Sequence, residues 1–233
     1  MRIAFFTALK EERVALRAAW PLEDSGTIQG LSLDSGERAM AFCSGMGEER
    51  MARAVERGVS LFKPDLAVLL GFSAGLRDGL QVGEVVCDDR GDPDLVQALR
   101  DFPLPLRFGQ VVSGGLLRDE GDKRALASRC PEALAADMES GAFLRAVGSI
   151  PHLVLRVISD DVTAPMPLPF DQLLTEQGFP DERKIVKQLA VKPGLLPGVL
   201  RLARTSGAAQ RALRQTVVDV RPLLVRRLLE MTL

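Results

Sequence analysis

Two stretches constrain this chain more than any others: Ala135-Ala136-Asp137-Met138-Glu139-Ser140-Gly141-Ala142 and, later, Val154-Leu155-Arg156-Val157-Ile158-Ser159-Asp160-Asp161. The first reads as a short apolar strand that ends in acid-Met-acid and opens a helix at Ser140; the second reads as a β-branched strand that ends in Ser-Asp-Asp. A buried strand gains nothing from ending in carboxylates unless a polar group meets them, because an unpaired buried charge is costly. In an open, mostly parallel sheet the carboxyl edge of the strands is where loops and helix N-termini converge on a ligand. The two stretches therefore predict a doubly wound α/β fold with Asp137, Glu139, Asp160 and Asp161 at that edge.

Composition permits a single core of this kind. The chain has 233 residues, 46% of them apolar, and a net charge of −1, which suits one large α/β domain. No apolar run approaches the roughly 18 residues that span a bilayer, and Met1-Arg2-Ile3-Ala4-Phe5-Phe6 leads at once into Lys10-Glu11-Glu12-Arg13 rather than a small-residue cleavage site. Cys43, Cys87 and Cys130 are odd in number, widely spaced and without zinc-type spacing, so reduced core thiols and a cytoplasmic setting are expected. His152 is the only histidine and follows Pro151 at a strand start, which argues against a Ser-His or Cys-His scheme; no ligand cluster suggests a metal.

Taken in order, residues 2–8 read as a buried strand and 10–20 as an amphipathic helix whose first turn carries Glu11 and Glu12. Acids there complement the helix dipole whether or not they have a chemical task. Strands are expected around 27–33 and 39–44. Ser44-Gly45-Met46-Gly47 then turns into a helix ending near Phe62, an arrangement that can admit an anion to backbone N–H groups. Leu66-Ala67-Val68-Leu69-Leu70 is a continuous apolar strand suited to a sheet centre. It runs into Gly71-Phe72-Ser73-Ala74-Gly75-Leu76, whose small residues allow close backbone approach to a ligand. Val111-Val112-Ser113-Gly114-Gly115-Leu116-Leu117 is a strand ending in a glycine turn.

Asp-Met-Glu, a helix and then Ile-Ser-Asp closely resemble the purine nucleoside phosphorylase and nucleosidase superfamily, above all the methylthioadenosine/S-adenosylhomocysteine nucleosidases and the hopanoid-associated phosphorylases. The resemblance covers residues 1 to about 161. It implies a three-layer phosphorylase/hydrolase-like α/β fold with a central mixed, mostly parallel sheet flanked by helices. It implies that Glu139 holds the ribose hydroxyls, that Met138 packs on the sugar and that Asp160 protonates purine N7. Glu12 falls where the family orients the attacking water, with Glu11 as the fallback. Met46, Ser73, Gly75, Ser159 and Leu117 fall on positions that line the family's substrate pocket. Protonated Asp160 asks for a proton affinity raised by burial and by Asp161 beside it.

Three departures matter. Phe72 stands where the family has a small residue, Gly115 and Leu116–Leu117 replace an acid and a stacking aromatic, and Leu69, Leu70 and Gly71 offer no arginine to clamp phosphate. Water and phosphate both remain open as nucleophile, with inorganic phosphate the one co-substrate expected and no other cofactor; Arg50 and Arg118 are the candidate cations from elsewhere. A non-catalytic, nucleoside-sensing or membrane-associated protein on the same fold is the alternative.

The tail is electrostatically separate. From Arg183 onward eleven basic residues face only Asp219 and Glu230, a net +9 that leaves −10 on the first 182 residues. Residues 1–182 are thus expected to be the catalytic domain and 183–233 a basic helical extension, packed on the domain, an interface or a membrane surface. At 100° per residue Arg201, Arg204, Arg211 and Arg214 share an arc of roughly 140° opposite Val199, Leu202 and Leu213. The tail also resembles the ends of the hopanoid-associated phosphorylases. The expected partners are a small-molecule nucleoside, a second copy in a homodimer or larger assembly, and peripheral contact with the inner membrane face, with no nucleic acid.

Overall fold

The structure is a computed structural model that describes residues 2–20, 23–25, 28–32 and 38–231. In chain order its elements are β1 (Arg2–Thr7), α1 (Lys10–Leu16), β2 (Glu23–Ser25), β3 (Ile28–Ser32), β4 (Arg38–Cys43), α2 (Glu48–Phe62), β5 (Leu66–Gly75), β6 (Val85–Cys87), α3 (Pro93–Asp101), β7 (Leu106–Phe108), β8 (Gln110–Ser113), α4 (Glu120–Arg129), β9 (Ala133–Asp137), α5 (Ser140–Val147), β10 (His152–Asp160), α6 (Glu182–Val191) and α7 (Leu196–Glu230). The expected ends of the third strand, Thr27 and Leu33, lie outside the described residues.

Parallel strands β4, β1, β5 and β10 form the centre; β3 and β2 add an antiparallel edge, and β6 lies antiparallel to β10 with β7 parallel beyond it. Helices cover both faces, so these strands are apolar throughout and alternate between two cores. Ile3, Phe5, Leu66, Val68, Leu70, Leu153, Leu155 and Val157 join residues of α1, α3 and α7 on one face. Ala4, Phe6, Ala67, Leu69, Val154 and Ile158 meet Met51 and Val55 of α2 and Phe143 and Val147 of α5 on the other. The result is a three-layer, mixed and mostly parallel α/β fold.

Two details depart from a simple parallel edge. Strand β5 runs ten residues, and its last two, Ala74 and Gly75, pair antiparallel with Ala136 and Ala135 of β9. Asp137, Met138 and Glu139 therefore reach the site from the opposite direction to β10, because β5 overshoots the central sheet and offers β9 a partner there. In β10 the register against β5 shifts between Ile158 and Asp160, leaving Ser159 as the extra residue. Such a bulge re-aims the side chains beyond it.

Helix α7 is continuous over 35 residues. Ala209, Leu213, Val217, Val220, Leu223, Leu224 and Leu228 form its buried stripe, while Arg201, Arg204, Arg211 and Arg214 are exposed. Arg227 pairs with Asp92 and Asp94 at the start of α3, and the Arg221 guanidinium lies 5.3 Å from the Trp20 ring centroid. No helix among the described residues is long and apolar enough to cross a membrane.

Because Leu213 is fully buried in a core shared by α1, α3 and the sheet, Leu213→Ala is expected to destabilise the protein by about 2–5 kcal/mol. Arg204→Ala, on the exposed side of the same helix, should change stability by no more than about 0.5 kcal/mol. Urea unfolding of the two variants checks both.

Candidate active site

The carboxylates converge through one buried arginine. Arg156 lies on the same pleat of β10 as Val154 and Ile158, and its side chain is wholly buried. Its Nη2 pairs with Asp137 Oδ2 and lies 3.5 Å from Glu139 Oε2. The residue opposite it on β5 is Gly71. A Cβ at Gly71 would fall 2.2 Å from Arg156 Nη1 and 2.5 Å from Glu12 Oε1, so the missing side chain is what lets guanidinium and carboxylate approach. Burial works against the charge on Arg156, but Asp137, Glu139 and Glu12 outweigh it and hold the guanidinium protonated.

Each carboxylate has a distinct seat. Asp137 Oδ1 accepts from the N–H groups of Glu139 at 3.1 Å and Ser140 at 2.9 Å and from the Ser140 hydroxyl, fastening the first turn of α5. Glu139 begins that helix without capping it; instead its Oε1 accepts from the Gly47 N–H at 2.9 Å. Gly47 has φ +109°, open to glycine, and starts α2, so the Gly45-Met46-Gly47 turn presents its amide to a protein carboxylate. Glu12 Oε2 accepts from Ala8 and Leu9 N–H and Oε1 from Phe72 N–H, each at 2.8 Å. A carboxylate has about four acceptor sites, so three backbone donors fix Glu12 and leave room for one more.

One guanidinium serves three buried acids, and the deficit appears in the proton affinities of Glu12 and Glu139. Burial raises the Glu12 carboxyl above its usual value despite Arg156 and the backbone donors. Burial pushes the Glu139 carboxyl up to about 8, against the pull of Arg156 and with Asp137 and Glu12 adding to the rise.

Asp160 sits on the other side of the site. Its Oδ1 lies 2.8 Å from the Ser159 hydroxyl, which is also 3.2 Å from the Ser73 carbonyl, and its Oδ2 accepts from Lys123 Nζ at 2.5 Å. Asp161, expected beside it as a like charge, instead accepts from the Thr163 hydroxyl and from the N–H groups of Thr163 and Ala164, which hold its carboxylate below the usual range. Of the four strand-end acids, Asp137 and Asp161 thus fasten local turns.

Glu12, Glu139 and Asp160 all line one cavity of about 330 Å3, together with Glu11, Met46, Ser73, Met138, Leu117 and Ser159. Gly75 does not line it; the Cβ position of Gly75 is 3.5 Å from the Asp160 carbonyl oxygen, so Gly75 packs behind that strand end. Phe72 lines the cavity and leaves it open. Apolar walls that the sequence did not signal come from Met166, Phe170 and Pro180 in the loop after β10 and from Leu202 of α7, with Ser206 beside it. The charged lining residues among those described are all acidic. Arg50 donates to the carbonyls of Met46 and Glu176, and Arg118 lies 3.9 Å from Asp171; neither lines the cavity. His152 bonds the Ile150 carbonyl at 3.0 Å and meets Phe143 edge-on, outside the cavity.

Arg156 and Lys123 are the two charged groups that the sequence pattern did not single out. An arginine between Leu155 and Val157 in an apolar strand is a readable signal, since it demands a buried partner. Lys123 gives less: Asp122 and Arg124 flank it, and only its i, i+3, i+4 spacing with Leu126 and Ala127 marks the inward face.

No family model matches the chain. Among solved structures, the 5′-methylthioadenosine/S-adenosylhomocysteine nucleosidase of S. pneumoniae, with a transition-state inhibitor, superposes with a TM-score of 0.62 at 18% identity over 91% of this chain and 100% of that one. The corresponding nucleosidase of Colwellia psychrerythraea, in complex with adenine, gives 0.61 at 18% identity over 94% and 96%. A futalosine hydrolase mutant of Helicobacter pylori gives 0.55 at 15% identity over 68% and 89%. The chain has the fold of these nucleosidases.

The raised Glu139 carboxyl sets a pH dependence of stability. The fold retains a proton that the unfolded chain releases near pH 4.5, so this contribution is complete below that value and is lost as pH rises towards about 8. The urea midpoint of the unaltered protein should fall between about pH 5 and pH 8, and that of Glu139→Gln should fall less. Equal falls would place the retained proton elsewhere.

Proposed function

We propose that the protein cleaves the N-glycosidic bond of an adenine nucleoside by hydrolysis. One observation carries the reading: Glu12, Glu139 and Asp160, brought from the first helix, the β9–α5 junction and the end of β10, line a single cavity. The nucleosidases that share the fold are described with a transition-state inhibitor and with adenine, which supports the same substrate class here.

The chemistry is dictated by charge. Departure of a purine leaves positive charge on the sugar and negative charge on the base. Asp160 donates a proton to purine N7, so the C1′–N9 bond breaks with its electron pair held by a neutral base. Glu139 engages the ribose hydroxyls, and the Glu12 carboxylate attracts the positive sugar. Glu12, fixed by three backbone donors, uses its remaining acceptor site for the water that adds to C1′ and takes that water's proton. The acid-plus-base logic is that of glycoside hydrolysis on another fold. Leu116, Leu117, Met166, Phe170 and Phe72 give the base apolar faces, and Leu9, Met46 and Leu202 suit an apolar 5′ substituent, methylthio or a longer lipid. The all-acidic lining favours water over an anionic phosphate as nucleophile. That Phe72 leaves the cavity open supports catalysis over nucleoside sensing.

Adenine release from 5′-methylthioadenosine, adenosine and an adenosyl-lipid analogue, each with and without phosphate, tests the reading. Release independent of phosphate and lowered about 10²–10⁴-fold by Asp160→Asn is expected. A strict need for phosphate would replace hydrolysis by phosphorolysis, and no release from any of the three would overturn the reading.

Residues 183–233 further support contact with an anionic lipid surface. Helix α6 buries none of its residues; Val186 and Val191 on it and Leu196 and Leu200 just beyond are exposed beside Lys187, Lys192, Arg201 and Arg204. A basic, apolar-studded face of this kind matches acidic headgroups. The protein should sediment with vesicles containing phosphatidylserine but not with pure phosphatidylcholine, and Val186→Asp with Leu196→Asp should abolish it. Sedimentation unaffected by those changes would place the contact elsewhere, and no sedimentation would remove it.

A further inference from the structure

Lys123 is a buried ammonium with no part in the glycosidic reaction as proposed. Its side chain is 1% exposed. Burying an ammonium costs several kcal/mol unless every proton finds a partner. All three do: Asp160 Oδ2 at 2.5 Å, the Asp161 carbonyl at 2.6 Å and the Ala164 carbonyl at 2.9 Å. The two carbonyls belong to the turn that Asp161 fastens from within, so α4 is tied to the chain just past β10. Were this anchoring the whole role, backbone acceptors alone would serve. Instead the third proton meets the carboxylate that faces the cavity, while Lys123 itself does not line it. The cation stands outside the cavity, bonded to the acid that lines it.

We propose that Lys123 is a positioning residue for leaving-group protonation, an inference that rests on the glycosidic reading. Asp160, paired with Lys123 in the free site, takes up a proton from solvent before the reaction; as the C1′–N9 bond breaks, the electron pair goes to the base and that proton goes from the Asp160 carboxyl to N7. The negative charge this leaves on Asp160 appears beside an ammonium that is already in place and needs no reorganisation. Lys123 and the Ser159 hydroxyl also hold one carboxyl oxygen each, fixing the plane in which the proton is presented. A leaving group that departs as a stable anion without a proton should have no use for either residue.

Lys123→Met and Asp160→Asn are therefore compared with the unaltered protein on 5′-methylthioadenosine and on p-nitrophenyl β-riboside. Expected for Lys123→Met is a fall in kcat of about 100-fold on the adenine nucleoside, with KM changed less than about threefold and p-nitrophenol release little altered. The aryl riboside shows in the same sample that the site is folded. A parallel fall on both substrates, whether from misfolding or from a merely structural role, would overturn the inference. So would full adenine release by Lys123→Met while Asp160→Asn is inactive, which leaves the glycosidic reading standing. Full adenine release by Asp160→Asn would remove Asp160 as the acid and Lys123 with it, as would no release by the unaltered protein.

Discussion

The structure depends on a guanidinium buried away from solvent. Arg156 sits in the middle of the sheet and draws Asp137, Glu139 and Glu12 from separate parts of the chain. Take the cation away and three buried carboxylates would repel one another in a medium that screens little. Because it is there, β9, the start of α5 and the start of α1 meet at one point, and the cavity floor is the surface of that cluster. The arrangement leaves net negative charge, and burial within it raises the proton affinity of the Glu139 and Glu12 carboxyls.

Two kinds of polar interaction surround this centre and have different physical purposes. Asp137 and Asp161 spend their oxygens on nearby N–H and hydroxyl groups, as short acidic side chains at helix starts and turns do. Glu139 and Glu12, with one more methylene each, reach past their own turns to the amides of Gly47 and Phe72. Asp160 stays short but is turned into the cavity by the bulge at Ser159. Side-chain length and one extra backbone residue thus separate the acids that fasten their own turns from those that reach partners elsewhere in the chain.

Much of this was legible because buried charge is rare and its reasons are few. Acids at the ends of apolar strands marked Glu139 and Asp160, and the 3.6-residue pattern of Leu202 and Leu213 against the arginines marked the inner and outer sides of α7. What escaped the sequence is what alternation cannot carry. The antiparallel pairing of β9 arises because β5 is two residues longer than the central sheet needs, and the bulge in β10 breaks the two-residue period at the point where function begins. Lys123 hid among solvated neighbours, and the half-buried Met166, Phe170 and Pro180 come from a proline-rich loop with no period to read.

The cavity wall has two owners. Leu202 and Ser206 belong to a helix that, a turn further on, is committed to the core through Ala209 and Leu213, so the backbone beneath them cannot shift without disturbing the whole layer. Met166, Phe170 and Pro180 stand on a loop outside the two main cores and carry no such obligation. Divergence among chains of this architecture should therefore be unequal along the rim. Taste for one substituent or another can drift through Met166, Phe170 and Pro180 at little expense to folding, while the α7 side supplies the fixed reference against which such drift is measured.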